Sequence, residues 1–262
     1  MTGRILSVVG GMFLLTVCSK GAAPAREPSA APAAPVPASS FDASAAGGTI
    51  TGKIRFTGTA PRNPVIHMDP QQDAVCIKKY TTTPTEENVV AGPANALANV
   101  FVYVSAGVPA NEKFTVPTTP VVLDQSGCRY HPHVFGIMVG QPLEIKNSDS
   151  ATLHTIKAKA TKNRPFNVSQ PNAGMTKTVS FTAPEVMVYL HCDAHDWMHA
   201  YLGVRPDPFY AVSGQDGSFS IKGLPPGTYT IEAWHEKFGT QTATVTIAGT
   251  ESKTANFTFA AH

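Results

Sequence analysis

Past its first two dozen residues the 262-residue sequence has no helical period and no heptad repeat, which argues against a helical bundle or coiled coil. Charged residues make up 15% of the chain and balance to a formal net charge of +2, so no polyanionic partner is implied. No basic stripe interleaved with aromatics suggests nucleic acid. A glycine-rich phosphate loop is missing, as is a Gly-x-Ser-x-Gly elbow. The opening apolar run, Ile5 to Val17, is 13 residues long, short of the roughly 20 a membrane helix needs. Cysteine is scarce, with four in all: Cys18, Cys76, Cys128 and Cys192.

The apolar run follows a basic start at Arg4 and has the length of a signal-peptide core. Two exits are readable: Leu15-Thr16-Val17-Cys18 resembles a lipobox, which would lipidate Cys18, and Ala23-Pro24-Ala25 offers a cleavage site. Either one exports the chain to a periplasm or cell surface, with a lipid anchor as its only membrane contact. Residues 1–25 read as the signal. Residues 26–47, rich in Ala, Pro and Ser, read as a tether that cannot bury a core. In an oxidising compartment cysteines pair or bind something. With Cys18 lipidated or removed, three remain. The simplest division pairs Cys76 with Cys128 and leaves Cys192 as a thiolate. The alternative pairs Cys192 and leaves one of the others as a buried thiol.

What is present is alternation between turn signals, predicting an all-β fold. TITGKIRF places Ile50, Ile54 and Phe56 on one face, and NVFVYV reads as a buried strand. HVFGIMVGQPLEIKN gives two strands around a Gly-Gln-Pro turn, the second with Leu143 and Ile145 on one face. In VMVYLHC, parity turns Val186, Val188, Leu190 and Cys192 to the core, and Met187, Tyr189 and His191 away from it. From about 207 the composition changes: GQDGSFSIKGLPPGTYTIEAW alternates through Tyr229, Ile231 and Ala233 between Asp-Gly and Pro-Pro-Gly turns. The expected division is 48–206 as one domain including the N-terminal strands, and 207–262 as a second, smaller sandwich. Trp234 reads as a core aromatic, with a contact to the first domain or to a glycan as alternatives.

Chemistry concentrates in CDAHDWM, residues 192–198. Each gap in Cys192-x2-His195-x2-Met198 is about one turn of chain, so the three side chains can meet at one point. Thiolate, imidazole and thioether form a soft set, and two His with one Cys and a weak axial Met select copper for electron transfer. The second imidazole must come from elsewhere. His154, opening a strand after a polar turn, is the leading candidate, with His133, His131 and His199 as rivals. Zinc on Cys and His ligands would leave the methionine unexplained.

HPHVFGIMVGQPLEIKNSDSATLHTI together with CDAHDWM resembles the cupredoxin family, the loop spacing being that of amicyanin-type blue-copper proteins. The resemblance covers about residues 95–205. It implies a Greek-key sandwich in which His154, Cys192, His195 and Met198 hold one type 1 copper ion. Thr155 stands where the family commonly has Asn, and Asp193 and Asp196 would sit near the metal. The resemblance further implies a one-electron carrier and no enzyme, with His195 as the exposed edge and Trp197 and Met198 on a docking surface. Its partner would be a c-type cytochrome, a dehydrogenase or an oxidase. DGSFSIKGLPPGTYTIEAWHE resembles the carboxypeptidase regulatory-like domain, a transthyretin-like sandwich. The alternative function is an extracellular carbohydrate-binding or adhesion protein whose metal is structural or absent. Methionine-rich tracts, which would favour copper trafficking, do not occur among the 7 methionines.

Overall fold

A computed structural model describes residues 47–260. The expected signal, Cys18 and nearly all of the tether lie outside the described residues. In chain order these form β1 (Gly48–Thr57), helix α1 (Ala74–Ile77), a 3-10 turn at Pro93–Asn95, β2 (Phe101–Ala106), β3 (Val121–Gln125), β4 (Tyr130–His131) and β5 (Val134–Met138). Next come β6 (Leu143–Asn147), β7 (His154–Lys159), β8 (Phe166–Gln170), β9 (Thr176–Val179), β10 (Glu185–His191) and β11 (His199–Arg205). The chain continues with β12 (Tyr210–Val212), β13 (Ser218–Leu224), β14 (Gly227–His235), β15 (Gly239–Ile247), β16 (Ser252–Thr254) and β17 (Phe257–Ala260). The fold is all-β, as the alternation predicts. No helix among the described residues is long and apolar enough to cross a membrane.

Four sheets make two sandwiches. One pairs β5-β11-β10-β7-β8 with β4-β3-β6-β9, burying Ile137, Ile145, Ile156, Val188, Leu190 and Leu202 between them. The other pairs β13-β1-β16, with β17 also on β1, against β12-β2-β14-β15. Its core takes Ile50, Ile54 and Phe56 from β1, and Tyr229, Ile231 and Ala233 from β14. Apolar side chains at every second position of these strands can only be removed from water together, on one face.

Pairing departs from the expected division at residue 206. Ile50 lies opposite Ile221 and Ile54 opposite Phe257, while β2 runs between β12 and β14. Strands β1 and β2 thus complete the C-terminal sandwich, and β3 to β11 are inserted between β2 and β12. Alternation announces a strand and its buried face but not its partner, which here lies far along the chain. A second departure falls in β10. Its register shifts between Glu185 and Val188, so Val186 packs with Met187 outside the inserted core rather than beside Val188.

Between the sandwiches lies a third apolar cluster of Phe101, Tyr103, Val134, Met138 and Tyr210, with Trp234 and Tyr201 against it. Gly136 and Gly203 are cross-strand partners on β5 and β11. A Cβ at Gly203 would stand 2.3 Å from the Phe101 ring, and one at Gly136 would stand 2.5 Å from Tyr210. Two glycines thus make a flat seat for two aromatic rings from the other sandwich. Trp234 packs beside Tyr201, the rings tilted with centroids 4.9 Å apart, so its contact is with the inserted sandwich.

Candidate metal centre

After β10 the chain makes a closed turn. The Cys192 N–H donates to the Met198 carbonyl at 3.0 Å, and the Met198 N–H donates to the His195 carbonyl at 3.0 Å. The Trp197 indole donates to the Cys128 carbonyl at 3.0 Å, anchoring the turn to the neighbouring loop. Thr155 braces it from β7. Its backbone N–H donates to Cys192 Sγ at 3.3 Å, its hydroxyl donates to the same sulfur at 3.6 Å, and it accepts the Asp193 N–H at 2.7 Å. This threonine thus fastens both the sulfur and the turn that follows it.

His154, Cys192 and His195 converge, each offering a ligand atom within 4.8 Å of the others. All three are buried, at 0%, 1% and 5% exposure. The Nδ1 atoms of His154 and His195 lie 3.1 Å apart, and Cys192 Sγ lies 3.7 Å from His195 Nδ1. His154 Nε2 is held by Asp149 Oδ2 at 2.9 Å. A carboxylate only accepts, so Nε2 carries the hydrogen and the neutral ring turns an Nδ1 lone pair toward the cluster. A buried imidazole lone pair, a second imidazole and a sulfur thus meet within bonding reach of one ion. The donor set therefore fits a soft transition ion such as copper, bound by thiolate and imidazole.

The ionisation of these groups follows from the same contacts. Burial pushes the Cys192 thiol up, but bonds with His154 and His195, then with Thr155, outweigh it and bring it down to about 5. Burial pushes the His154 imidazole down, yet its bonds to Asp149 and Cys192 hold it above the usual histidine value. Burial likewise pushes the Asp149 carboxyl up, and bonds from His154, Lys79 and the Cys128 and Gly127 amides carry it well below the carboxylate range.

Asp149 is the participant that sequence reasoning missed. It accepts N–H groups from Gly127 at 2.8 Å and Cys128 at 2.7 Å, and pairs with Lys79 at 2.8 Å. Its only signal is position, in the polar turn five residues before His154. Cys128 is in turn joined to Cys76 on α1, and among the described residues Cys192 is the free cysteine.

That bridge bears on His195, expected to be an exposed edge. Cys76 Sγ lies 3.6 Å from His195 Nε2, and Asp73 Oδ1 lies 3.8 Å from it. The segment carrying α1 covers the imidazole. Nothing in the local sequence around Asp73 names His195 as its partner. Met198 is not on a docking surface either: it is 1% exposed, inside the core cluster that contains Cys192, with Trp197 packed partly buried against it.

The rivals lie elsewhere. His131 is exposed, while His133 and His199 join Glu236 in a separate cluster. His191 stacks on Tyr189, centroids 5.4 Å apart, on the face away from the core. Of the aspartates, Asp193 is exposed and bonded to Lys157, Asn167 and His191, and Asp196 is exposed.

No curated protein matches the chain. Solved structures similar to parts of it include copper proteins by name. A copper-containing nitrite reductase from Thermus scotoductus SA-01 is 23% identical with TM-score 0.31, the match covering 38% of this chain. The chain spans only 25% of that reductase's length. A purple cupredoxin from Nitrosopumilus maritimus is 19% identical with TM-score 0.28, covering 32% of this chain and 97% of that one. An amicyanin point mutant in its Cu(I) form is 18% identical with TM-score 0.30, covering 40% of this chain and 98% of its own. The functional reading rests on the site's own residues rather than on these similarities. Residues 204–260 match the carboxypeptidase regulatory-like domain family, and the solved structures similar to part of the chain include cupredoxins.

Proposed function

We propose that the protein is an exported type 1 copper protein that carries single electrons in a periplasmic or cell-surface redox chain. The observation that supports this most directly is the burial of Cys192 Sγ beside two imidazole nitrogens that converge on it, the His154 lone pair turned into the cluster. His154, Cys192 and His195 would hold the ion, and Met198, from the same turn, would supply a fourth, weaker ligand. Copper, when bound, supplies a one-electron couple.

The chain's part is to keep the ligand positions fixed through the redox change. Asp149 locks the His154 tautomer. The Thr155 N–H and hydroxyl donate to the Cys192 sulfur and draw charge from it. Burial excludes water from all three ligands. A carrier of this kind turns over no substrate, so the chain is not an enzyme, and its partner is a redox protein such as a c-type cytochrome, a dehydrogenase or an oxidase.

The test is a visible and electron paramagnetic resonance spectrum after Cu(II) is added to the metal-free chain. An intense thiolate-to-copper band with narrow copper hyperfine splitting is expected. Cys192→Ser should lose the band while staying folded, His154→Ala should alter it, and His191→Ala should leave it unchanged. A colourless wild-type protein would overturn the reading and bring glycan binding forward.

A further inference from the structure

A second set of ligand atoms meets at the junction of the two sandwiches. His133 precedes β5, His199 opens β11, and Glu236 lies in the turn between β14 and β15. Their ligand atoms lie within 4.8 Å of one another. We propose that His133, His199 and Glu236 form a second metal site, which takes a divalent first-row ion such as zinc through two imidazoles and one carboxylate. This site stands independently of the Cys192 centre.

The tautomer of His199 carries the argument. Its Nδ1 lies 3.2 Å from the Trp197 carbonyl, which can only accept, so the ring hydrogen sits on Nδ1. The Nε2 of the neutral ring therefore presents a lone pair, and it faces Glu236 Oε2 at 3.5 Å. The other oxygen of Glu236 contacts His133 Nε2. An acceptor nitrogen opposite an acceptor oxygen needs a metal ion or a proton between them. A backbone carbonyl that fixes the far nitrogen of a histidine is also how metal-ligating imidazoles are oriented.

The surroundings suit an ion. The three side chains are 7%, 11% and 7% exposed, sealed by Tyr201, which packs against both histidine rings. His191, directly opposite His199 on β10, has a buried Nδ1 without a hydrogen-bond partner. A cleft of about 10 Å³, lined by His133 and His199 though not by Glu236, lies beside the two imidazoles and has room for about one water. His199 is one peptide bond from Met198, so the second site adjoins the ligand turn. A proton on His199 is the competing occupant, making the trio an ion pair alone.

Zinc(II) added to the metal-free, untagged full chain separates the two occupants, with bound ion counted after equilibrium dialysis. The wild-type chain should hold two equivalents, and Glu236→Gln and His199→Ala should each hold one less with an unchanged far-ultraviolet spectrum. A wild-type count of one that Glu236→Gln takes to zero would support this site, with the Cys192 centre taking no zinc. If either variant loses structure, His133→Gln, which leaves the carboxylate in place, supplies the count instead. A count unchanged by these substitutions would overturn the proposal and leave an ion pair.

Discussion

Asp149 gathers four donors: the His154 ring, the Gly127 and Cys128 amides and the Lys79 ammonium. Asparagine has the same shape but one accepting oxygen, so Asp149→Asn leaves at least one buried donor unpaired, at a cost of about 1–3 kcal/mol. It also frees the His154 ring, and metal affinity should fall about 10–100-fold. Urea unfolding and a Cu(II) titration check the two effects separately; an unchanged affinity would detach Asp149 from the site. Glu185 plays a similar part far from the metal, accepting from the Thr161 hydroxyl, the Lys162 amide, and the Asn163 amide and side chain. Burial pushes its carboxyl up, but these bonds outweigh burial and hold it below the ordinary glutamate value of 4.5. The folded state thus favours the ionised form. Its stabilisation is present above that ordinary value and is lost as pH falls through the depressed one. Glu185→Gln should lower stability by about 1–3 kcal/mol at neutral pH, with the gap closing in acid, read by urea unfolding at both pH values. A gap that persists in acid would mean the carboxylate charge is not what matters.

Helix α1 has four residues and could not hold itself in water. The Cys76–Cys128 bridge pins it, across a sequence separation of 52, to the loop whose amides bond Asp149. In the chain-entropy description a loop of that size contributes about 4 kcal/mol. Replacing both cysteines by serine should cost stability on that order and release α1 from His195. Hydrogen exchange of the amides at 77–80 should then speed greatly while β10 and β11 stay protected. Equal protection with and without the bridge would show that packing alone holds the cover. The cover also marks where sequence reasoning stops. The turn at 192–198 was legible because its three ligand types fall at fixed short spacings within one loop. Strands β1, β6 and β14 were legible because alternation is a local property. By contrast, α1 is too short to show a period, and its contact with His195 spans more than a hundred residues. Asp149 looked like any turn aspartate, and the register shift in β10 that turns Val186 outward has no sequence signature. Glu236 was one charge in a hairpin turn, and its two histidines were legible only as rivals of His154 for the Cys192 turn.

At the scale of the molecule, the decisive fact is that the chain leaves one sandwich, builds another and returns. β2 lies between β12 and β14, and β1 takes β13 on one side and β16 with β17 on the other. Residues 204–260 match a family known as a domain, yet here that stretch has its core finished by Ile50, Ile54, Phe56, Val102 and Val104 from before the insertion. Residues 207–262 expressed alone would expose the apolar faces of β13, β14 and β17 that these five side chains cover. Each large aliphatic or aromatic side chain returned to water costs about 1.5–3 kcal/mol. Uncovering the fragment's own Ile221, Leu224, Tyr229, Ile231 and Phe257 would cost roughly the whole stability of an ordinary domain. The isolated fragment should therefore be unfolded or aggregated, with no cooperative thermal transition, and a separate peptide of residues 47–106 should restore one by supplying β1 and β2. A fragment that melts cooperatively alone would mean that the matched segment can close its own core, with β1 and β2 added to a sandwich already complete. The junction gives the same reasoning a finer probe. Gly203→Val would drive a side chain into the Phe101 ring, which is fully buried and cannot move aside. Full-length protein should then melt lower by several degrees, and the His133, His199 and Glu236 cluster, whose carboxylate comes from the far side of that junction, should lose its geometry before the Cys192 turn does.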